Sequence, residues 1–184
     1  MENSLSNIKI AATENILAFK EILDSLEIPF WLDGGTLLGA YRDKDFCVDD
    51  EDDVDLCTWI EFKTDEIKEL AFAKGFELFH EWETQMAFTR EGSKIDLFFN
   101  MVKGDDAYTF LYKGDEKVPV VIPLKFYSDL SPIEFKGETF LRPTLIEEYL
   151  TLKYGDWKTP VHRSQYLCYN ESDNKVVRPD FNYD

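Results

Sequence analysis

A few residues in this chain have the types and spacing that chemistry uses. They are Asp53 and Asp55, two apart, Asp96 in a later apolar run, and the pair Gly34-Gly35. Asp53 and Asp55 bracket the start of the β-prone run Val54-Asp55-Leu56-Cys57-Thr58-Trp59. In a strand they project from one face while Val54 and Leu56 take the other. Carboxylates side by side repel unless a cation sits between them, and hard oxygen donors favour Mg²⁺ or Mn²⁺. Asp96 lies in Lys94-Ile95-Asp96-Leu97-Phe98-Phe99, a stretch otherwise apolar on both faces, where a charge needs a partner. Gly34-Gly35 follows Phe30-Trp31-Leu32-Asp33 and precedes a helical stretch. Bare backbone N–H groups and a helix N-terminus there suit an anion. A phosphate cradle beside a divalent-metal clamp is what phosphoryl transfer requires.

The elements that must position these residues can be read from periodicity and punctuation. Ile16, Phe19, Ile22, Leu23 and Leu26 follow helical spacing, which predicts an amphipathic helix over residues 5–26, ended by Pro29. Residues 30–33 form a first strand, the glycine pair opens a helix to Arg42, and the acidic stretch 43–53 is a loop. A strand over 54–59 precedes a helix over 65–74, with Thr64 as N-cap and Gly75 as stop. Strands follow near 76–82, 85–90 and 94–99, the last two joined by a turn at Glu91-Gly92-Ser93. The run around Asp96 reads as a central strand. Two more short strands are expected at 107–112 and 118–122, then turns and an edge hairpin around Gly137. Thr144-Leu145-Ile146-Glu147 has the form of a capping box opening a helix to Lys153. From Gly155 the chain reads as a loop-rich tail.

Composition narrows the class. At 184 residues, with 44% hydrophobic and 15% aromatic content, the expectation is one folded domain, residues 1–184. The net charge of −17 argues against nucleic acid as a partner. No apolar run reaches the length of a membrane span, and the start lacks a secretory pattern. Three cysteines, Cys47, Cys57 and Cys168, make neither a disulfide framework nor a close-spaced metal pattern. A cytoplasmic protein with free thiols is expected.

Each motif has a plainer reading. The glycines alone would serve a tight turn, and the acidic run alone a solvated loop. An EF-hand needs Gly at position six and Glu at twelve. Counting from Asp45 gives Asp50 and Leu56, and from Asp49 Val54 and Ile60, so neither start fits. Gly39 inside a helix costs about 1 kcal/mol against alanine and calls for close approach by a backbone or a ligand. Arg42 either faces the phosphate pocket or pairs with Asp43 or Asp45. His80 and His162 read as ordinary strand and loop histidines. Tyr154, Asp156 and Trp157 either shape a pocket or pack at a helix end.

Asp33-Gly34-Gly35-Thr36-Leu37-Leu38-Gly39-Ala40-Tyr41-Arg42, followed by Glu51-Asp52-Asp53-Val54-Asp55-Leu56, resembles the LicD/fukutin-type family of the nucleotidyltransferase-fold superfamily. The Gly-Gly turn, the Asp-x-Asp pair and a third Asp in a later strand correspond to Gly34-Gly35, Asp53/Asp55 and Asp96. Tyr154-Gly155-Asp156-Trp157-Lys158-Thr159-Pro160 resembles a later family stretch. The resemblance implies an α+β, nucleotidyltransferase-like fold, a small mixed β-sheet flanked by helices. It implies transfer of phosphocholine or a polyol phosphate from a CDP-linked donor to a glycan or sugar hydroxyl, as in polysaccharide modification.

On that reading Asp53, Asp55 and Asp96 are catalytic and hold Mg²⁺ or Mn²⁺, with Asp96 either third ligand or base. Gly34, Gly35, Thr36 and Arg42 bind the donor phosphates. The alternatives are a nucleotidyltransferase moving an NMP from an NTP, an Asp-x-Asp sugar-nucleotide glycosyltransferase, and a non-catalytic binding module on the same scaffold.

Overall fold

The computed structural model describes residues 2–48, 50–114, 116–162, 165 and 176–183. Helix α1 (Glu2–Ser25) leads to a short strand β1 (Trp31–Leu32), helix α2 (Gly34–Arg42) and strand β2 (Asp53–Trp59). Helix α3 (Asp65–Ala73) precedes β3 (Glu77–Trp82), β4 (Gln85–Arg90) and the long β5 (Ser93–Lys103). Then come β6 (Asp106–Lys113), β7 (Glu116–Pro123), the hairpin β8 (Leu130–Phe135) and β9 (Glu138–Pro143), and helix α4 (Ile146–Tyr154).

Among the described residues the main sheet has seven strands, with the path β1-β2-β5-β4-β3 and with β6 and β7 added from β5. Only β2 and β5 run parallel; the remaining pairs are antiparallel. The fold is therefore α+β, a mixed sheet flanked by helices. The strand bearing Asp96 is central, between β2 and β4, as its two apolar faces require. The hairpin around Gly137 does not extend the main sheet. It forms a separate two-stranded sheet that packs near β1, where Phe30 meets Phe140 edge to face.

The two faces of the main sheet differ in chemistry. Val54, Leu56, Ile95, Leu97, Met86 and Phe88 are buried, and Phe19 of α1 packs against Phe76 and Phe88. Ile16, Phe19, Ile22 and Leu23 are all at most 1% exposed, which accounts for the register of α1. Burying each such side chain contributes about 1.5–3 kcal/mol. The alternation that sends these residues one way sends Asp53, Asp55 and Asp96 the other.

Two helix starts differ from expectation. Thr64 occupies the N-cap of α3 without a side-chain cap bond. Helix α4 begins at Ile146 with Leu145 as N-cap, so the Thr144 capping box does not form. The Thr144 hydroxyl instead lies 2.6 Å from that of Ser131 on β8, a tertiary partner that outcompetes the local one. In the tail, Val177 bridges to Val120, and Phe181 and Tyr183 pack on Tyr108. Cys168 lies outside the described residues.

Candidate active site

The parallel pairing of β2 with β5 sets Asp55 directly beside Asp96 and Asp53 beside Lys94. Neighbouring strands lie about 4.8 Å apart, so side chains in one row on one face must meet. Carboxylate oxygens of Asp53, Asp55 and Asp96 all fall within 4.8 Å of one another. Burial pushes the Asp55 carboxyl well above its ordinary range, and the charges of Asp53, Asp96 and Asp50 push it further. Burial and then Asp53 raise Asp96 to about 6, against the opposing pull of Lys94. The Lys94 ammonium lies 2.7 Å from Asp96 Oδ2 and 3.2 Å from Asp53 Oδ1. Burial disfavours that charge, but Asp53 and Asp96 outweigh it and lift Lys94 to about 12. Lys94 pairs with two of the three clustered carboxylates, and together the three form a donor set of hard oxygens that fits a divalent cation.

The glycine bend is fastened to β2. Asp33 N–H donates to the Asp55 carbonyl at 3.2 Å, Gly35 N–H to Asp55 Oδ2 at 2.9 Å, and Asp55 N–H to Thr36 Oγ1 at 2.9 Å. Gly34 has φ +54°, and a methyl there would come within 1.9 Å of Asp55 Oδ2. A methyl on Gly35 would meet Asp50 Oδ2 at 1.9 Å. These glycines are what allows the bend to approach the carboxylates so closely. The Gly35 N–H is engaged by Asp55, and Thr36 is 1% exposed, so its hydroxyl anchors the strand. Gly39 has its explanation in backbone: a methyl would lie 2.4 Å from the Asp45 carbonyl oxygen and 2.7 Å from the Cys47 nitrogen.

Arg42 turns elsewhere. Its guanidinium forks onto Asp43 at 2.8 and 2.7 Å and donates to the Trp157 carbonyl at 3.1 Å. It also meets Cys47, whose thiol donates to the Gly35 carbonyl. Trp157 stacks near Tyr41 and donates its indole N–H to Thr151, a packing role, whereas Tyr154 lines a cavity beside the bend. His162 is exposed.

That cavity, about 100 Å³, is bordered by Asp33, Gly34, Gly35, Asp55, Asn100 and Lys153, with an apolar wall from β5, β6 and β7. Asp33 and Lys153 are functional candidates that sequence reasoning missed. Asp33 accepts from Lys153 Nζ at 2.7 Å, from the Tyr149 hydroxyl and from the Cys57 thiol at 3.2 Å. Burial would raise Asp33, but Lys153 and the Tyr149 hydrogen bond outweigh it and hold the carboxyl below its usual value. Burial likewise disfavours charged Lys153, and Asp33 overcomes it. Nothing local in the sequence signals this pair. Lys94 was readable, since it stands two residues from Asp96 and a strand must put both on one face.

The family model described as LicD/FKTN/FKRP, nucleotidyltransferase domain, matches residues 27–145. A curated relative, "Ribitol-5-phosphate transferase FKTN" of Macaca fascicularis, is 32% identical over 162 residues, 82% of this chain and 34% of that protein. The chain thus spans about a third of the length of that relative. A solved structure of the lincosamide antibiotic adenylyltransferase LnuA with lincomycin bound aligns with a TM-score of 0.48 and 13% identity, over 74% of this chain and 83% of that one. No described helix is long and apolar enough to cross a membrane.

Proposed function

Because the chain belongs to the LicD/FKTN/FKRP nucleotidyltransferase-domain family, we propose that it is a transferase moving a substituted phosphate from a CDP-linked donor to a sugar or glycan hydroxyl. The observation that carries this reading is the convergence of Asp53, Asp55 and Asp96 beside the Gly34-Gly35 bend. The relative's name, a ribitol-5-phosphate transferase, puts a polyol phosphate first among substituents to test, with phosphocholine next.

In the reaction the acceptor oxygen attacks the phosphorus that carries the substituent. The P–O bond to CMP breaks, CMP takes the electron pair, and the hydroxyl proton goes to a base. Asp96 is that base. A carboxyl raised to about 6 is largely ionised at neutral pH yet basic enough to accept a proton as the bond forms. With Asp96 as the base, Asp53 and Asp55 would hold Mg²⁺ or Mn²⁺, which when bound would neutralise the diphosphate charge. Lys94 and Lys153 flank the carboxylates on two sides, and their ammonium groups offset negative charge that the −17 of the whole chain would otherwise repel. The Gly34 bend keeps side-chain atoms out of the space beside Asp55.

The test is a thermal-shift and product assay with CDP-ribitol, CDP-glycerol, CDP-choline and nucleoside triphosphates, with and without Mg²⁺ or Mn²⁺. A donor at 100 times its Kd should add about 2.7 kcal/mol to stability, and turnover should release CMP. Asp53→Asn should lose the metal-dependent shift, and a variant that responds like the parent overturns the site. Pyrophosphate release from a triphosphate would replace phosphotransfer with nucleotidylyl transfer, and hydrolysis of a UDP-sugar would replace it with glycosyl transfer.

A further inference from the structure

The face that carries the carboxylates continues past them along β5. Asp96, Phe98 and Asn100 alternate onto it, with Asp55 beside Asp96 and Cys57 beside Phe98. Beyond Asn100 the strand pairs with β6, Val102 against Ala107, and Ala107 in turn pairs with Ile122 of β7. The same alternation sets Thr109 and Leu111 of β6 and Val120 of β7 on this face. Phe98, Thr109, Leu111 and Val120 are half-buried, and they floor the cavity that Asp55, Gly34 and Lys153 border elsewhere. The tail supplies one edge. Val121 N–H donates to the Val176 carbonyl at 2.7 Å and Arg178 N–H to that of Pro119 at 2.9 Å, which holds Val176 and Val177 against the cavity. Phe98 and Asn100 stand two and four residues along from Asp96, about 7 and 13 Å, a span that a ribose phosphate bridges.

We propose that this cavity is a base subsite, which takes the single ring of a pyrimidine nucleotide and excludes a purine by size. That the nucleotide is a donor rests on the phosphotransfer reading, but selection of the ring by the cavity does not.

Shape and polarity select the occupant. A dry cavity of about 150 Å³ holds one benzene ring. This one, about 100 Å³ and not fully enclosed, admits a single six-membered ring and leaves no space for the second ring of a purine. A polyol chain would lay most of its hydroxyls against Phe98, Leu111 and Val120 without partners. A quaternary ammonium favours a cage of aromatic faces, whereas this floor is chiefly aliphatic, and the wall carboxylate Asp33 is already matched by Lys153 at 2.7 Å. A flat ring with apolar faces and a polar rim suits the site better. Asn100 and Thr109 donate to the Thr58 and Thr84 carbonyls at 3.3 and 3.4 Å, which leaves their oxygens to accept from an amino group on the ring. Cytosine carries such a group and uracil does not.

The experiment titrates the full chain with CMP, UMP, AMP, GMP and ribose 5-phosphate in Mg²⁺, read by calorimetry. CMP should bind about tenfold more tightly than AMP, GMP or ribose 5-phosphate, the scale of burying part of one ring. Leu111→Ala widens the floor and should bring AMP to within about threefold of CMP. Val120→Phe fills the cavity and should lower CMP to the level of ribose 5-phosphate while the melting curve stays cooperative. No CMP bound by the parent, CMP no tighter than ribose 5-phosphate, purines bound as well as CMP, or AMP unchanged by Leu111→Ala overturns the subsite. Phosphocholine or ribitol 5-phosphate as the ligand that Val120→Phe displaces overturns it too. Pyrimidine-selective binding without CMP release from any donor leaves the subsite standing and removes the phosphotransfer reading instead. CMP release that Val120→Phe does not slow keeps that reading and removes the subsite.

Discussion

Two groups of buried carboxylates lie on either side of Gly34 and behave in opposite ways. Asp33 is surrounded by donors, Lys153, Tyr149 and Cys57, and its carboxyl is held below its usual value. Asp55 and Asp96, together with Asp53, crowd one another, and both are pushed up even though Lys94 and Lys153 pull the other way. Burial acts on both groups alike, so the difference lies in the neighbours. Asp33 is an internal ion pair that ties α4 to the start of α2. The triad crowds like charges that a cation would relieve.

The comparison breaks most sharply at the ion pair. Asp33→Ala leaves the Lys153 ammonium buried without its partner, which should cost about 3–5 kcal/mol. Urea unfolding measures it directly. Pairing the change with Lys153→Met removes both charges and should recover most of the loss. If Asp33→Ala alone costs under about 1 kcal/mol, the pair is not holding α4 in place.

The triad should respond with the other sign. Asp55→Asn keeps an oxygen to accept the Gly35 N–H but removes one of the repelling charges. Without divalent ions its melting temperature should rise by about 2–4 °C, the equivalent of roughly 1 kcal/mol at this chain length. The shift produced by Mg²⁺ or Mn²⁺ in the parent should disappear. A variant less stable than the parent in chelator would mean that the three carboxylates are mutually satisfied and not poised for a cation.

Acid titration tests both groups in one curve. The Asp96 carboxyl is raised from 3.8 to about 6 in the folded chain, so between those values the native state holds a proton that the unfolded state does not. Its contribution therefore makes the metal-free protein less stable as pH rises from about 4 to 6. Asp33 is lowered, so its contribution is present above its unfolded value and is lost as pH falls below it. Chelated protein should then be most stable near pH 4–5, and saturating Mg²⁺ should flatten the upper limb only. An upper limb unchanged by Mg²⁺ would separate Asp96 from the cation.

How much of this was legible follows the range of the interactions. Two-residue alternation was enough to place Asp53 and Asp55 together and to make the Asp96 strand central, because a strand's periodicity is local and its apolar composition reports burial. The same rule held Lys94 in plain view beside Asp96. The partnership of Asp33 with Lys153 joins residues from opposite ends of the fold, and no local pattern encodes it. Thr144-Leu145-Ile146-Glu147 failed for the converse reason. Its local signal was sound, but the Ser131 hydroxyl on a neighbouring strand took the cap. The glycine bend was recognised as a bend, while the direction of its N–H groups depended on the strand it lies against. Gly35 donates to Asp55, which no spacing rule could assign.

The smallest effect concerns Arg42, which sits between the two groups in sequence and belongs to neither. Its fork onto Asp43 and its bond to the Trp157 carbonyl join the end of α2 to the segment after α4. Arg42→Lys keeps the charge and loses the two-pronged geometry, so it should cost about 0.5 kcal/mol, the scale of a partly exposed ion pair. Because the side chain is not among those bordering the cavity, the metal-dependent donor shift should match that of the parent. A donor affinity weakened tenfold, with stability unchanged, would bring the guanidinium into contact with the phosphates and move the boundary of the site outward from the bend to the far end of α2.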